Sequence, residues 1–72
     1  MLEKLKVILR ENNIPFDQIT ETTELMTDLG LTSLRIIELA TALEDAFDIE
    51  IPDRVIKDMH TIGDVIRLIE TL

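Results

Sequence analysis

The chain has 72 residues, with 15 acidic side chains against 7 basic ones, a formal net charge of −8 and 46% hydrophobic content. A chain this short buries only about 60% of its unfolded surface, which leaves no room for a second domain and little for a closed active site with its supporting shell. There is no cysteine, so disulfides and protein thiolate chemistry are excluded.

The acid excess disfavours nucleic acid and anionic lipid as partners and steers the chain toward basic patches on other proteins. The hydrophobic content argues against disorder. The start MLEKLKVILRE lacks the apolar run and small-residue cleavage site of a secretory signal. No apolar run approaches a membrane span. A soluble cytoplasmic protein of one domain, 1–72, is expected.

The periodicity is helical throughout. Leu2, Leu5, Ile8 and Leu9 form one apolar stripe and predict a first helix near Met1–Glu11. Asn12, Asn13 and Pro15 end it, because Asn tolerates the left-handed region and Pro disfavours helix at the residue before it. Ile14 to Thr32 reads as a long connection, and loops of this length in a small protein are usually functional. Its apolar residues Phe16, Ile19, Leu25, Met26 and Leu29 are expected to pack over the bundle, with Met26 and Met59 as core fillers. The strongest helix is predicted over Ser33–Phe47. Pro52 suits a helix start, and a short third helix is predicted from Asp53 to about Met59. Thr61 can cap a final helix, with Asp64 in the capping-box place and Ile62, Val65, Ile66, Ile69 and Leu72 as its buried stripe. The fold class is all-α: a small bundle of three main helices plus a short third one.

Helical spacing divides Ser33–Phe47 into two faces. Ile36, Leu39, Ala40, Leu43 and Phe47 form the core stripe. Leu34, Ile37 and Thr41 fall near the opposite face, among Glu38, Glu44 and Asp45. Large aliphatics ringed by acids read as a docking surface with an apolar centre. Cover by the connection or by the third helix is the competing reading, and it weighs more for Ile37 than for Leu34. Ser33 stands where the connection becomes this helix, and Gly30 permits the turn that delivers it. A hydroxyl there sits at the positive end of the helix dipole, where a phosphodiester is favoured. From position alone Ser33 is better explained as a helix cap, a role open also to Thr32, because serine and threonine are common caps.

The run Asp28-Leu29-Gly30-Leu31-Thr32-Ser33-Leu34 resembles the phosphopantetheine attachment motif of acyl carrier proteins. In that family an Asp-Leu-Gly turn leads to Asp-Ser-Leu at the start of the second helix. The likeness continues through Ile37-Glu38-Leu39, Ala42-Leu43-Glu44-Asp45-Ala46-Phe47, Ile49-Glu50-Ile51-Pro52-Asp53 and Thr61-Ile62-Gly63-Asp64-Val65. The order and spacing span the whole chain. The resemblance implies an acyl-carrier-protein-like bundle in which Ser33 accepts 4′-phosphopantetheine from coenzyme A by a phosphopantetheinyl transferase, with Asp28, Gly30, Thr32, Leu34 and Arg35 around it. The arm's thiol then carries an acyl group as a thioester. Leu34, Ile37, Glu38, Thr41, Glu44, Asp45 and Arg54 are the implied docking residues for acyl-transferring and acyl-modifying enzymes with basic patches. The chain itself is implied to be no enzyme and, as a shuttle, a monomer.

Two positions depart from the family pattern. Thr32 stands where an Asp is usual, and Arg35 where fatty-acid carriers have an acid. Thr32 can still cap the helix, and Arg35 is placed to pair with an added phosphate. Both changes remove negative charge beside Ser33, and a carrier dedicated to one specialised pathway is expected. An aminoacyl or peptidyl carrier is a second reading, although such carriers are more often embedded and less acidic. A third is an unmodified interaction module that keeps the fold, and a fourth a small hydrolase. His60, the single histidine, is expected in a surface loop. It has no G-x-S-x-G elbow to serve and no set of orienting groups for catalysis with Ser33. The tract 17–21 reads as solvated loop, and no residue pattern predicts a metal site.

Overall fold

The computed structural model of the chain describes residues 1–16 and 18–71. They form α1 (Leu2–Glu11), α2 (Ser33–Phe47), α3 (Asp53–Ile56) and α4 (Ile62–Thr71). The stripes predicted for the three longer helices meet at one core. Leu5, Ile8 and Leu9 enter it from α1, Ile36, Leu39, Ala40 and Leu43 from α2, and Ile62, Val65 and Ile69 from α4. Leu2, Phe47 and Ile66 are half-buried at its edge, and Leu72 lies outside the described residues.

α3 stops at Ile56, three residues short of the predicted end. The chain continues there in tighter turns, with Asp58 and Met59 donating to the carbonyls of Val55 and Ile56 at 2.9 and 3.0 Å. This three-residue spacing swings Met59 inward, where it is buried. Pro52 is the extended residue before the helix rather than its first turn.

The connection between α1 and α2 is built into the core rather than laid over it. Ile14, Ile19, Leu25 and Leu31 are buried. An isolated antiparallel bridge pairs Glu24 with Thr61. The Leu25 amide donates to His60 O at 2.9 Å, the Ile62 amide to Thr23 O at 2.9 Å and the Gly63 amide to Glu21 O at 2.8 Å. The connection therefore satisfies backbone donors at the start of α4 that the helix cannot satisfy itself. One expectation fails here: Met26 is 53% exposed. Its neighbour Leu25, held next to the bridge by its amide bond to His60 O, takes the inward position as the chain turns after Glu24.

Two substitutions probe this join. Gly63 has room for no side chain, because a Cβ there would stand 2.9 Å from the Glu21 carbonyl oxygen. A backbone atom cannot move aside as a flexible side chain can. Gly63→Ala is expected to lower unfolding free energy by about 1–3 kcal/mol in a denaturant titration, the usual cost of overpacking.

Asp64 forms the capping box foreseen with Thr61. Its carboxylate accepts from the amides of His60 and Thr61, both at 3.1 Å, and the Thr61 hydroxyl accepts from the Asp64 amide at 3.1 Å. Arg67 is ion-paired to the same carboxylate. Partial burial raises the Asp64 pKa, but the two amide bonds, the Arg67 charge and the Thr61 hydroxyl together outweigh it and hold the group below its ordinary value. A carboxylate depressed in the folded state contributes stability above its unfolded pKa, and that contribution is lost as pH falls through the folded value. Asp64→Asn is thus expected to be less stable than the parent at neutral pH, with the gap closing as pH drops below the ordinary carboxylate range. Thermal melts of both chains across that range check the sign.

Candidate functional site

The approach to α2 is fixed by local chemistry. Glu24 O accepts from the amides of Asp28 and Leu29, while the Asp28 carboxylate accepts from the Glu24 amide at 2.7 Å. The turn 24–29 is thereby closed from both ends. Gly30 follows at φ +68, a left-handed conformation that costs glycine little and other residues more. Leu31 then inserts into the core and donates its amide to Leu25 O at 3.0 Å. Asp28 and Gly30 act on Ser33 through the backbone in this way.

Thr32 and Ser33 divide the two tasks that a hydroxyl at this place can perform. Thr32 is the extended residue before α2, and its Oγ1 accepts from the Arg35 amide at 3.2 Å. Thr32 is therefore the cap. Ser33 is the first helical residue, exposed, and its hydroxyl has no hydrogen-bond partner among the described residues. The hydroxyl that the fold leaves free stands at the helix start, where unpaired backbone N–H groups and the dipole favour a negative group.

Ser33 also lies on the rim of a cavity of about 590 Å³ between the 24–27 turn, the first turns of α2, and α3. Met26, Ile36, Ile37, Ile56 and Met59 give it apolar walls, and Glu24, Thr27, Asp53, Lys57 and His60 complete it. Sequence reasoning assigned Ile36 to the core and Met26 and Met59 to its filling. Their meeting beside Ser33 depends on the fold of the connection and carries no periodic signal of its own. His60 is exposed outside the helices, as expected, yet it borders the same cavity as Ser33.

The helix face opposite the core is open. Leu34 is 65% exposed and Ile37 49%. Leu34 stands clear of both the connection and the cavity, whereas Ile37 keeps about half of its surface open and turns the rest toward the cavity bounded by the 24–27 turn and α3. Thr41, Glu38 and Asp45 are exposed on the same helix, and Arg54 is exposed on α3. Glu44 differs. It is half-buried, and its carboxylate accepts from the Ile51 amide at 2.9 Å, which ties the chain after α2 back to the helix.

Arg35 also differs from expectation. Its guanidinium donates to the carbonyl of Asn12, beyond the end of α1, at 2.9 Å and to the Glu38 carboxylate at 3.0 Å. The C-terminal carbonyls of α1 carry partial negative charge, which explains why a cation settles there. The side chain is committed toward α1, and Glu38 is held in an ion pair with it.

Comparison with known proteins agrees with this geometry. A family model described as the phosphopantetheine attachment site matches residues 3–69. The chain is 41% identical over 66 residues to the acyl carrier protein of Wolinella succinogenes, covering 92% of this chain and 87% of that one. It is 40% identical over 67 residues to the acyl carrier protein of a Sulfurovum species, with 93% and 89% coverage. It is 38% identical over 71 residues to that of Helicobacter pylori, with 97% and 91% coverage. A solved structure from Mycobacterium tuberculosis, provisionally assigned as an acyl carrier protein, superposes with a TM-score of 0.86 at 33% identity, covering 96% of this chain and 93% of that one. The chain belongs to the acyl carrier protein family, whose cofactor is 4′-phosphopantetheine.

Among the described residues no group of histidine, cysteine, aspartate and glutamate is arranged to hold a metal ion. No helix among them is long and apolar enough to cross a membrane.

Proposed function

We propose that this chain is a single carrier domain and no enzyme, and that Ser33 is the point at which 4′-phosphopantetheine is attached from coenzyme A. The observation that carries the assignment is the division of labour at the start of α2. Thr32 caps the helix and the Ser33 hydroxyl is free, and Ser33 is the serine of the run 28–34 that resembles the family's attachment motif. The donor set suits the group: an exposed primary hydroxyl, uncommitted helix N–H groups for its phosphate, and an apolar recess beside it.

When attached, the group supplies the thiol that this chain lacks and holds acyl cargo as a thioester. The residues of the chain do the rest. Asp28 and Gly30 set the turn, Thr32 fixes the helix start, and Leu34 and Ile37 offer an apolar contact to whichever enzyme visits. Tethering raises the local concentration of the cargo at each visited site. The visitors are a phosphopantetheinyl transferase and the acyl-transferring and acyl-modifying enzymes of a fatty-acid, polyketide or related specialised pathway. Thr32 and Arg35, which replace acids beside the serine, favour a specialised carrier. A monomer in the cytoplasm suits a shuttle of this kind.

Incubation with coenzyme A and a broad-specificity phosphopantetheinyl transferase, read by intact mass and peptide mapping, tests the assignment. One added phosphopantetheine on Ser33 is the expected result. No addition, with another carrier modified in the same tube, would favour the arm-free interaction module.

A further inference from the structure

Ser33 lies between residues that fix the start of α2 in different ways. Before it, Leu31 is buried and Thr32 caps the helix. After it, Arg35 receives that cap on its backbone amide and sends its side chain away from the helix. The guanidinium is half-buried and donates to the Asn12 carbonyl at 2.9 Å, 23 residues back in the chain. Every other side-chain hydrogen bond among the described residues spans seven residues or fewer. Every ion pair among them joins neighbours on one helix. Arg35 is thus the one polar side chain among the described residues that joins α1 to α2.

The bond suits the electrostatics of both helices. Asn12 is the C-cap of α1, where the carbonyls hold partial negative charge. Directly after it Asn13 takes a left-handed φ of +59, and the Ile14 amide returns to Leu9 O at 2.9 Å. At the other end, a cation in the first turn of α2 is unfavourable against the positive end of that helix dipole. Drawing the guanidinium onto α1 and pairing it with Glu38 offsets that cost. A planar fork holds both partners at once, whereas a lysine ammonium is a single point charge on a flexible stem.

Helix ends fray, and Ser33 is the first residue of its helix. Its hydroxyl has no partner among the described residues, so its place is set by the backbone on either side. We propose that Arg35 is a positioning residue for attachment at Ser33: it straps the first turn of α2 to the end of α1 and so holds the acceptor hydroxyl steady for the transferase. The role rests on the carrier reading and on Ser33 as the acceptor. It works through the strap and not through the charge shown to the transferase, and this separates it from docking.

Arg35→Gln, Arg35→Glu and Arg35→Lys are compared with the parent in single-turnover transfer from coenzyme A, with a transferase that has a basic docking patch in excess. The rate within the saturated complex and the transferase concentration at half-saturation are read separately. Amide hydrogen exchange is followed at Ile14 and Ile36, one on either side of the strap. Loss of a half-exposed hydrogen bond to a charged group is expected to slow transfer in the saturated complex by about three- to tenfold in Arg35→Gln. Arg35→Glu should be slowed as much, although the acid it adds favours the basic patch and lowers the half-saturating concentration. Arg35→Lys should recover part of the rate. Exchange at Ile14 and Ile36 should quicken together in the Gln and Glu variants. Gly63→Ala, which loses stability at the start of α4, should transfer at the parent's rate. The proposal is overturned if the Gln and Glu variants keep the parent's rate in the saturated complex, if only the half-saturating concentration changes, if Gly63→Ala is slowed as far as they are, or if Ile36 quickens while Ile14 does not. A parent that gains no phosphopantetheine, with another carrier modified in the same tube, overturns the Ser33 reading and this role with it, and is told apart by the parent's mass alone.

Discussion

Ser33→Ala is expected to fold as the parent does and to take up no phosphopantetheine. The side chain is exposed and its hydroxyl bonds to nothing among the described residues, so its removal should change stability by no more than about 0.5 kcal/mol, as for other surface sites. Attachment, by contrast, needs the hydroxyl oxygen itself. Thr32 should not take over, because its oxygen is held by the Arg35 amide and it precedes the helix. Thr32→Ala gives the reverse pattern. It should lose about 1 kcal/mol, the usual worth of a helix cap, and still accept the group. Intact mass and a denaturant titration on the two variants separate the roles. If Ser33→Ala still gains the mass, the assignment of the site is wrong. If it unfolds, Ser33 has a structural part that the hydrogen bonding does not show.

Leu25→Ala is expected to be the most damaging change outside the helices. Leu25 is fully buried, and its backbone amide donates to His60 O. Truncation should cost about 2–5 kcal/mol, the range for a buried leucine whose cavity cannot collapse. Relaxation is restricted because the residue is fixed from both sides, by the bridge of Glu24 to Thr61 and by the Leu31 amide on its own carbonyl. In a protein of this size such a loss is a large share of total stability. Thermal unfolding compared with Met26→Ala makes the contrast. Met26 is the adjacent residue and half-exposed, so it should cost much less. Equal losses at the two positions would contradict the inward placement of Leu25.

Much of this was legible in the sequence, for physical reasons that can be stated. The stripes of α1, α2 and α4 are set by the helical repeat, and a face that must be buried has to be apolar. The boundary at Ser33 is set by Gly30 and Thr32, whose backbone preferences act locally. The capping box of Thr61 and Asp64 is likewise a matter of four adjacent residues. Motif order and spacing pointed to the carrier family, and the comparisons agree.

Tertiary structure alone decided the rest. Whether Thr32 or Ser33 capped the helix was open in the sequence, since both have the hydroxyl, and only the backbone angle at Thr32 resolved it. Met26 and Leu25 are both apolar neighbours in an irregular segment, and no periodicity says which turns inward. The bridge to Thr61, distant in sequence, chose Leu25. Arg35 was expected to pair with an added phosphate and Glu44 to stand on the docking face. Their partners, Asn12 and Ile51, come from other segments that converge on them only in the folded chain. Helical repeat and turn chemistry are local and can be read from neighbours, whereas the destination of a side chain's charge depends on what the fold brings beside it.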